Sequence, residues 1–351
     1  MRSSDARSSV AAIDAQQRRE EIDRQQALSP CRRLVIPFGP VTLHPSDVER
    51  FAREFDAQPM HLDPVAAKGT PLGSLSASGW QTCALAMELI QRALSAEGLR
   101  IAVPGVETVV WQAPVRPRDA ISGTFAIGET VSCGCGHELS KAVVSLYNQH
   151  GTSVARLRMD CVVGAVTATR QQVHPRCDFR ARRKPRALRQ TNRVGLKFFE
   201  DVEPGDELDL GSYELTSARC EAFLRSTAGN VSRSIDIDET AIVPAWLVPS
   251  AWMHCIVRYY NAQSESARKE RRSYPRLGPA AGVRHLRWEH DVQVGAVLAF
   301  RAWAERKLEI GGRRDYGLLV AGAEAFDAAG RRVASFYPQL LLERRTAMDA
   351  P

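Results

Sequence analysis

FDAQPMHLDPVAAKGTPLGSLSASGWQTCALAM, residues 55–87, brings a carboxylate, an imidazole and the start of a long helix into one short stretch. Asp56 and His61 stand five residues apart, which on one helix would turn them to different faces. Pro59 lies between them and pushes Gln58 out of the α region, so the pair is expected on one tight loop. Upstream, SDVERFAREF repeats apolar residues at helical spacing. Ser46 with Glu49 three residues later reads as a capping box, which puts Asp56 at the helix end. Asp63 reads as the cap of a short helix through Ala66 and Ala67. Ser78 and Gly79 then open a long helix from Trp80 to about Ala96, closed by Gly98. Trp80, Cys83, Ala84, Met87, Ile90 and Leu94 form one apolar face, while Leu85, Ala86, Leu89 and Ala93 extend apolar surface around the rest. Such a helix is expected to be wrapped by other structure. Its first N–H groups, at Gly79 and Trp80, make a positive pole suited to a polarised carbonyl oxygen.

From Ile101 to Gly164 the period changes to that of strands, in VETVVWQAPV, AISGTFAIGETVSCG, LSKAVVSLYNQ and TSVARLRMDCVVG, separated by Gly, Pro and Asn turns. A helix followed by such strands fits an antiparallel sheet curled around it. The pattern then repeats. Gly39, Leu43 and Phe51 recur as Gly211, Leu215 and Phe223, and Ser78, Trp80 and Cys83 recur at the same offset as Ser250, Trp252 and Cys255. At a slightly longer offset Gly105, Val106 and Trp111 recur as Gly282, Val283 and Trp288, and at one longer again Gly151, Val154 and Ala155 recur as Gly330, Val333 and Ala334. Gaps confined to loops indicate two copies of one fold. The expected class is α+β, with two antiparallel sheets each wrapped around a central helix. The expected units are a polar arm at 1–30, a first domain at 31–166, a basic linker at 167–194 and a second domain at 195–345.

FD-x-QP-x-HLD, then ASGW, VRPRD at 115–119 and NQHG at 148–151 resemble the MaoC-like dehydratases, also called R-specific enoyl-CoA hydratases, of the hot-dog fold. The resemblance implies a double hot-dog in which Asp56 and His61 act on water and the Gly79 N–H binds a thioester carbonyl. It places Gln58, Ser78 and Trp80 beside the substrate. Gln58 stands where many relatives have Asn, and Gln81 where close relatives often have His. The second copy reads TAGNVSRSIDID where the first has FDAQPMHLD, with no histidine between His174 and His254. One site per chain follows, with the second copy kept for packing and for shaping an acyl and pantetheine tunnel. His254 aligns with Thr82, inside the helix, and reads as a packed histidine.

The 351 residues, 44% of them hydrophobic, suffice for two cores. No run reaches transmembrane length and the arm at 1–30 lacks a signal-peptide core, so a cytoplasmic protein without membrane contact is expected. Eight cysteines, scattered apart from Cys133 and Cys135, give no zinc spacing; reduced, buried thiols and no metal are expected. Residues 170–193 hold nine basic side chains against Asp178 alone, within a chain of net charge +7. This run reads equally as a solvated linker or as a phosphate-binding rim, with Arg182, Arg183 and Lys184 contacting coenzyme A or an acidic acyl-carrier protein. Phe179 alone interleaves it and no nucleic-acid motif appears, so nucleic-acid binding is not expected. A polar insert at 261–281 is expected near the tunnel mouth.

Taken alone, Asp56 and His61 read as a helix-end carboxylate and a loop histidine satisfied by backbone. Joined to ASGW at this distance, within a repeat whose other copy lacks the pair, they read as an acid/base pair. The expected reaction is reversible hydration of a trans-2-enoyl thioester to the 3-hydroxyacyl thioester. Coenzyme A enters as part of the substrate, no cofactor is needed, and a homodimer is an expected assembly. A hot-dog thioesterase and a non-catalytic acyl-thioester-binding or scaffold protein are the alternatives. Trp80, Trp111, Trp252 and Trp288 serve the core by default, being mirrored in both copies.

Overall fold

The computed structural model describes residues 34–132, 138–165, 195–228, 237 and 240–345. The arm at 1–30, the whole linker at 167–194 with Arg182, Arg183 and Lys184, and most of the 227–238 segment lie outside the described residues.

Each half runs strand, helix or helices, long central helix, then four strands. In the first half these are β1 (Leu34–Thr42), α1 (Pro45–Phe55), two short helices α2 (Pro59–Leu62) and α3 (Pro64–Lys68), α4 (Gly79–Ala96), β2 (Leu99–Trp111), β3 (Ala120–Ser132), β4 (Glu138–Tyr147) and β5 (Ser153–Ala165). The second half has β6 (Glu207–Glu214), α5 (Ser217–Thr227), α6 (Leu247–Lys269), β7 (Leu277–Trp288), β8 (Val297–Leu308), β9 (Tyr316–Phe326) and β10 (Arg332–Glu343). All strand pairs are antiparallel.

The order β1-β3-β4-β5-β2-β7-β10-β9-β8-β6 is a five-strand pattern followed by its mirror, as a repeated unit joined through equivalent strands requires. The two expected sheets therefore meet edge to edge, and β2 pairs with β7 from Gly105 opposite Arg287 to Val110 opposite Gly282. That junction removes two edges that would otherwise expose unpaired backbone groups. Arg287 crosses it to Asp160, 3.0 Å away, and Lys141 bonds the other oxygen of that buried carboxylate. A Cβ on Gly105 would sit 1.9 Å from the Arg287 guanidinium, so only glycine leaves this path open.

Both central helices are buried against the sheet, in one core that spans the halves. Trp80 and Trp252, equivalent in the repeat, both meet Phe336, at 5.7 and 5.2 Å between ring centroids. Trp80 also contacts Trp246. Aromatic pairs in these tilted and edge-on geometries add about 0.5–1.5 kcal/mol each beyond their buried area.

Several local expectations change. The first helix starts at Pro45 with His44 as N-cap, and no side chain caps it. Proline suits the first helical position, where its fixed φ is already helical and its missing N–H has no partner to lose. Glu49 instead pairs with Arg53 one turn on. The first part of the polar insert at 261–281 is helical, since α6 runs to Lys269. Ser78 as N-cap, Asp63 as cap of α3 and the extent of α4 stand as read.

Candidate active site

Asp56 sits at the C-cap of α1, its N–H still bonded to the Ala52 carbonyl. Gln58 is extended, at φ −91° and ψ 146°, because Pro59 follows it. The chain then does not stay a loop: Pro59 opens the one-turn α2, which carries His61. Both side chains are buried, Asp56 at 3% and His61 at 6% exposure, rather than standing near a surface as an open loop would leave them.

The pair is fixed from every side. The His61 Nδ1–H donates to the Ser76 carbonyl at 2.8 Å; a carbonyl can only accept, so the proton on the neutral ring is at Nδ1. Nε2 then faces Asp56 Oδ2 at 3.4 Å. Asp56 Oδ2 accepts from the Ser78 hydroxyl at 2.6 Å, and Oδ1 from the Gln58 amide at 2.8 Å. With neutral imidazole and ionised carboxylate, Nε2 and Oδ2 are both acceptors and cannot bond each other. A water donating one hydrogen to each, or a proton on Nε2, satisfies both.

Ser78 does two jobs, since its oxygen also accepts from the Trp80 N–H at the start of α4. The Gly79 N–H beside it has no acceptor among the described residues. A Cβ on Gly79 would meet the Trp111 indole at 2.4 Å, so the ring presses directly on the helix start.

The loop that supplies the Ser76 carbonyl is gripped by Arg116, which donates to the carbonyls of Leu72, Ser74 and Leu75. Burial pulls its pKa down while Asp119 opposes the shift. Asp119 accepts from the Arg116 N–H and from the Gln149 amide, whose oxygen accepts from the Ala120 N–H. The VRPRD and NQHG segments thus serve as a brace behind His61. No local signal in the sequence connected them to it.

Of the residues read as substrate contacts, Gln58 and Ser78 hold Asp56, and Trp80 is 3% exposed within the aromatic core. Gln81 is fully buried and bridges the halves, donating to the Asp47 and Ser226 carbonyls. His254 is a helix histidine as read, and its Nδ1 bonds the Glu54 carbonyl of the first half. An apolar cavity bounded by Trp252, Ile256 and Leu340 is lined by the second half alone and includes none of Asp56, His61 or Gly79, unlike the expected tunnel between the halves. Cys83, Cys161, Cys220 and Cys255 are buried free thiols, with Cys83 and Cys161 pushed up by burial to about 12. Among the described residues no helix is long and apolar enough to cross a membrane. No group of acidic, His and Cys side chains among them is placed to hold a metal.

Residues 33–144 match the family model described as MaoC like domain. The chain carries a MaoC-like domain. Asp56, His61, Gly79 and Arg116 all fall inside this MaoC-like domain. A MaoC domain dehydratase from Chloroflexus aurantiacus J-10-fl is similar in structure, with a TM-score of 0.65 at 16% identity over 89% of this chain and 95% of the other. A Mycobacterium tuberculosis protein described as having a double hotdog fold follows at TM-score 0.58 and 13% identity, covering 89% and 96%. The peroxisomal multifunctional enzyme type 2 of Drosophila melanogaster gives 0.52 at 10% identity, with 87% of this chain covering 48% of that one. The MaoC-like domain and the second half together form a double hot-dog. No curated protein matches the chain.

Proposed function

We propose that the MaoC-like domain hydrates a trans-2-enoyl thioester reversibly to the 3-hydroxyacyl thioester. The observation that carries this reading is the facing of His61 Nε2 and Asp56 Oδ2 across 3.4 Å, two acceptors close enough for one water lying beside them to donate a hydrogen to each. Water held there gives a proton to Nε2 as its oxygen bonds to C3, and the proton taken up must end on C2 to complete the addition. Negative charge builds on the thioester oxygen in between. The Gly79 N–H, without an acceptor among the described residues and at the positive end of α4, is a donor for that oxygen. Acid/base help of this kind is typically worth about 10² to 10⁴ in rate.

Coenzyme A enters as part of the substrate. Its phosphates would meet Arg182, Arg183 and Lys184, a proposal that rests on charge alone.

The test is purified protein with crotonyl-CoA, followed by loss of the conjugated enoyl absorbance and, in parallel, by thiol release. Loss of enoyl absorbance without free thiol supports hydration. Thiol release would make the protein a thioesterase, and neither signal, with binding retained, would make it a carrier or scaffold.

A further inference from the structure

Glu54 lies two residues before Asp56, in the last turn of α1, and three side chains of the second half converge on it. The His254 Nδ1–H donates to the Glu54 carbonyl at 2.6 Å. The Tyr213 hydroxyl donates to its carboxylate at 2.6 Å, and the Arg219 Nε is 3.3 Å from the same oxygen. These three also brace one another, with the Arg219 guanidinium 4.1 Å over the Tyr213 ring and His254 edge-on to that ring at 4.9 Å.

We infer that His254, Tyr213 and Arg219 are positioning residues for Asp56, so that the second half sets the geometry of the first half's acid/base pair. The last carbonyls of a helix have no partner within it. α1 ends without a glycine cap, at Asp56 with φ −151° and ψ 61°, so a donor for the Glu54 carbonyl must come from elsewhere. His254 is that donor. At the equivalent place in the first half Thr82 bonds only its own helix, through the Ser78 carbonyl. The second copy has thus exchanged an internal bond for one that crosses between halves. α1 is held along its length as well: Phe51 and Phe55 pack on Phe223 at 6.0 and 5.6 Å, and Gln81 ties Asp47 to Ser226. Burial, with the Glu54 carboxylate adding to it, keeps the Tyr213 phenol protonated and donating well above its ordinary range.

The inference rests on the proposed hydratase reading for its kinetic test, and a second readout stands free of it. In the full chain, His254→Ala removes the donor, His254→Asn restores an amide N–H close to the place of Nδ1, and Tyr213→Phe removes one hydroxyl only. Misplacing a reacting group by about 1 Å costs up to about 10² in rate. His254→Ala is therefore expected to lower kcat for crotonyl-CoA by about tenfold or more. KM should stay within about twofold and His254→Asn should recover most of the loss. Tyr213→Phe should lower kcat in the same sense, and it stands in should His254→Ala fail to fold. The ring nitrogen resonances of His61, read by NMR without substrate, should move in His254→Ala and return in His254→Asn. Wild-type kcat together with unmoved His61 resonances in folded His254→Ala or Tyr213→Phe overturns the inference. Moved and rescued resonances in a protein that never hydrates crotonyl-CoA would leave the inference standing and remove the hydratase reading instead.

Discussion

Gly79 is held to glycine by its neighbour, since a methyl there would enter the Trp111 ring at 2.4 Å. Overpacking of this kind typically costs about 1–3 kcal/mol. Gly79→Ala should therefore lower thermal stability and turnover together, and adding Trp111→Leu should return part of the stability in a melting experiment. A Gly79→Pro variant would meet the same ring, so its loss of activity would not isolate the N–H. Ser78→Ala removes a helix cap, worth about 1 kcal/mol, and the 2.6 Å donor to Asp56. Turnover should fall with Ser78→Ala by more than the modest drop in melting temperature accounts for. Asp56, His61, Ser78 and Gly79 were legible because Pro59 and the Ser-Gly helix start mark their places in one short stretch. The burial of Trp80 was legible as well, from the apolar face of its helix and its recurrence as Trp252, whereas the grip of Gln58 on Asp56 was not, because which way a side chain turns in the short segment before Pro59 leaves no period to read.

The elements follow the same division. Strands with period-two alternation and a helix apolar around much of its circumference declared themselves, as did the caps at Asp63 and Ser78. A single helical turn after Pro59 has too few residues to show a period, and the polar surface of α6 beyond Asn261 hid its continuation to Lys269. Arg116 links two elements far apart in sequence, through three carbonyls of the loop before α4. Arg116→Ala should free that loop, disturb the Ser76 carbonyl behind His61 and lower kcat. Arg116→Lys should recover only part, because one ammonium cannot replace a planar fork that reaches several carbonyls. Steady-state kinetics of both variants check this, and full activity in Arg116→Ala would show that the loop holds without it.

At the scale of the molecule, the repeat was open to reading from glycines and tryptophans that recur at nearly constant offsets, Trp80 as Trp252 and Gly105 as Gly282 among them. The seam was not, since β2 and β7 carry no mark that they pair, and the contacts of Glu54 with Tyr213 and His254 join residues far apart in the chain. Residues 195–351 expressed alone should be inactive and aggregate on size-exclusion chromatography. The β7 edge and the aromatic face around Trp246 and Phe336 would lie open. A stable, monodisperse second half would contradict the shared core. A tight-binding substrate analogue should saturate the intact protein at one per chain. Hydration by the first half turns on Asp56, and the direct measurement is crotonyl-CoA hydration by the intact protein beside its Asp56→Asn variant. Turnover is expected in the wild type and at least about 10²-fold less in the variant, with matching circular dichroism; equal turnover in the two would contradict the role of Asp56.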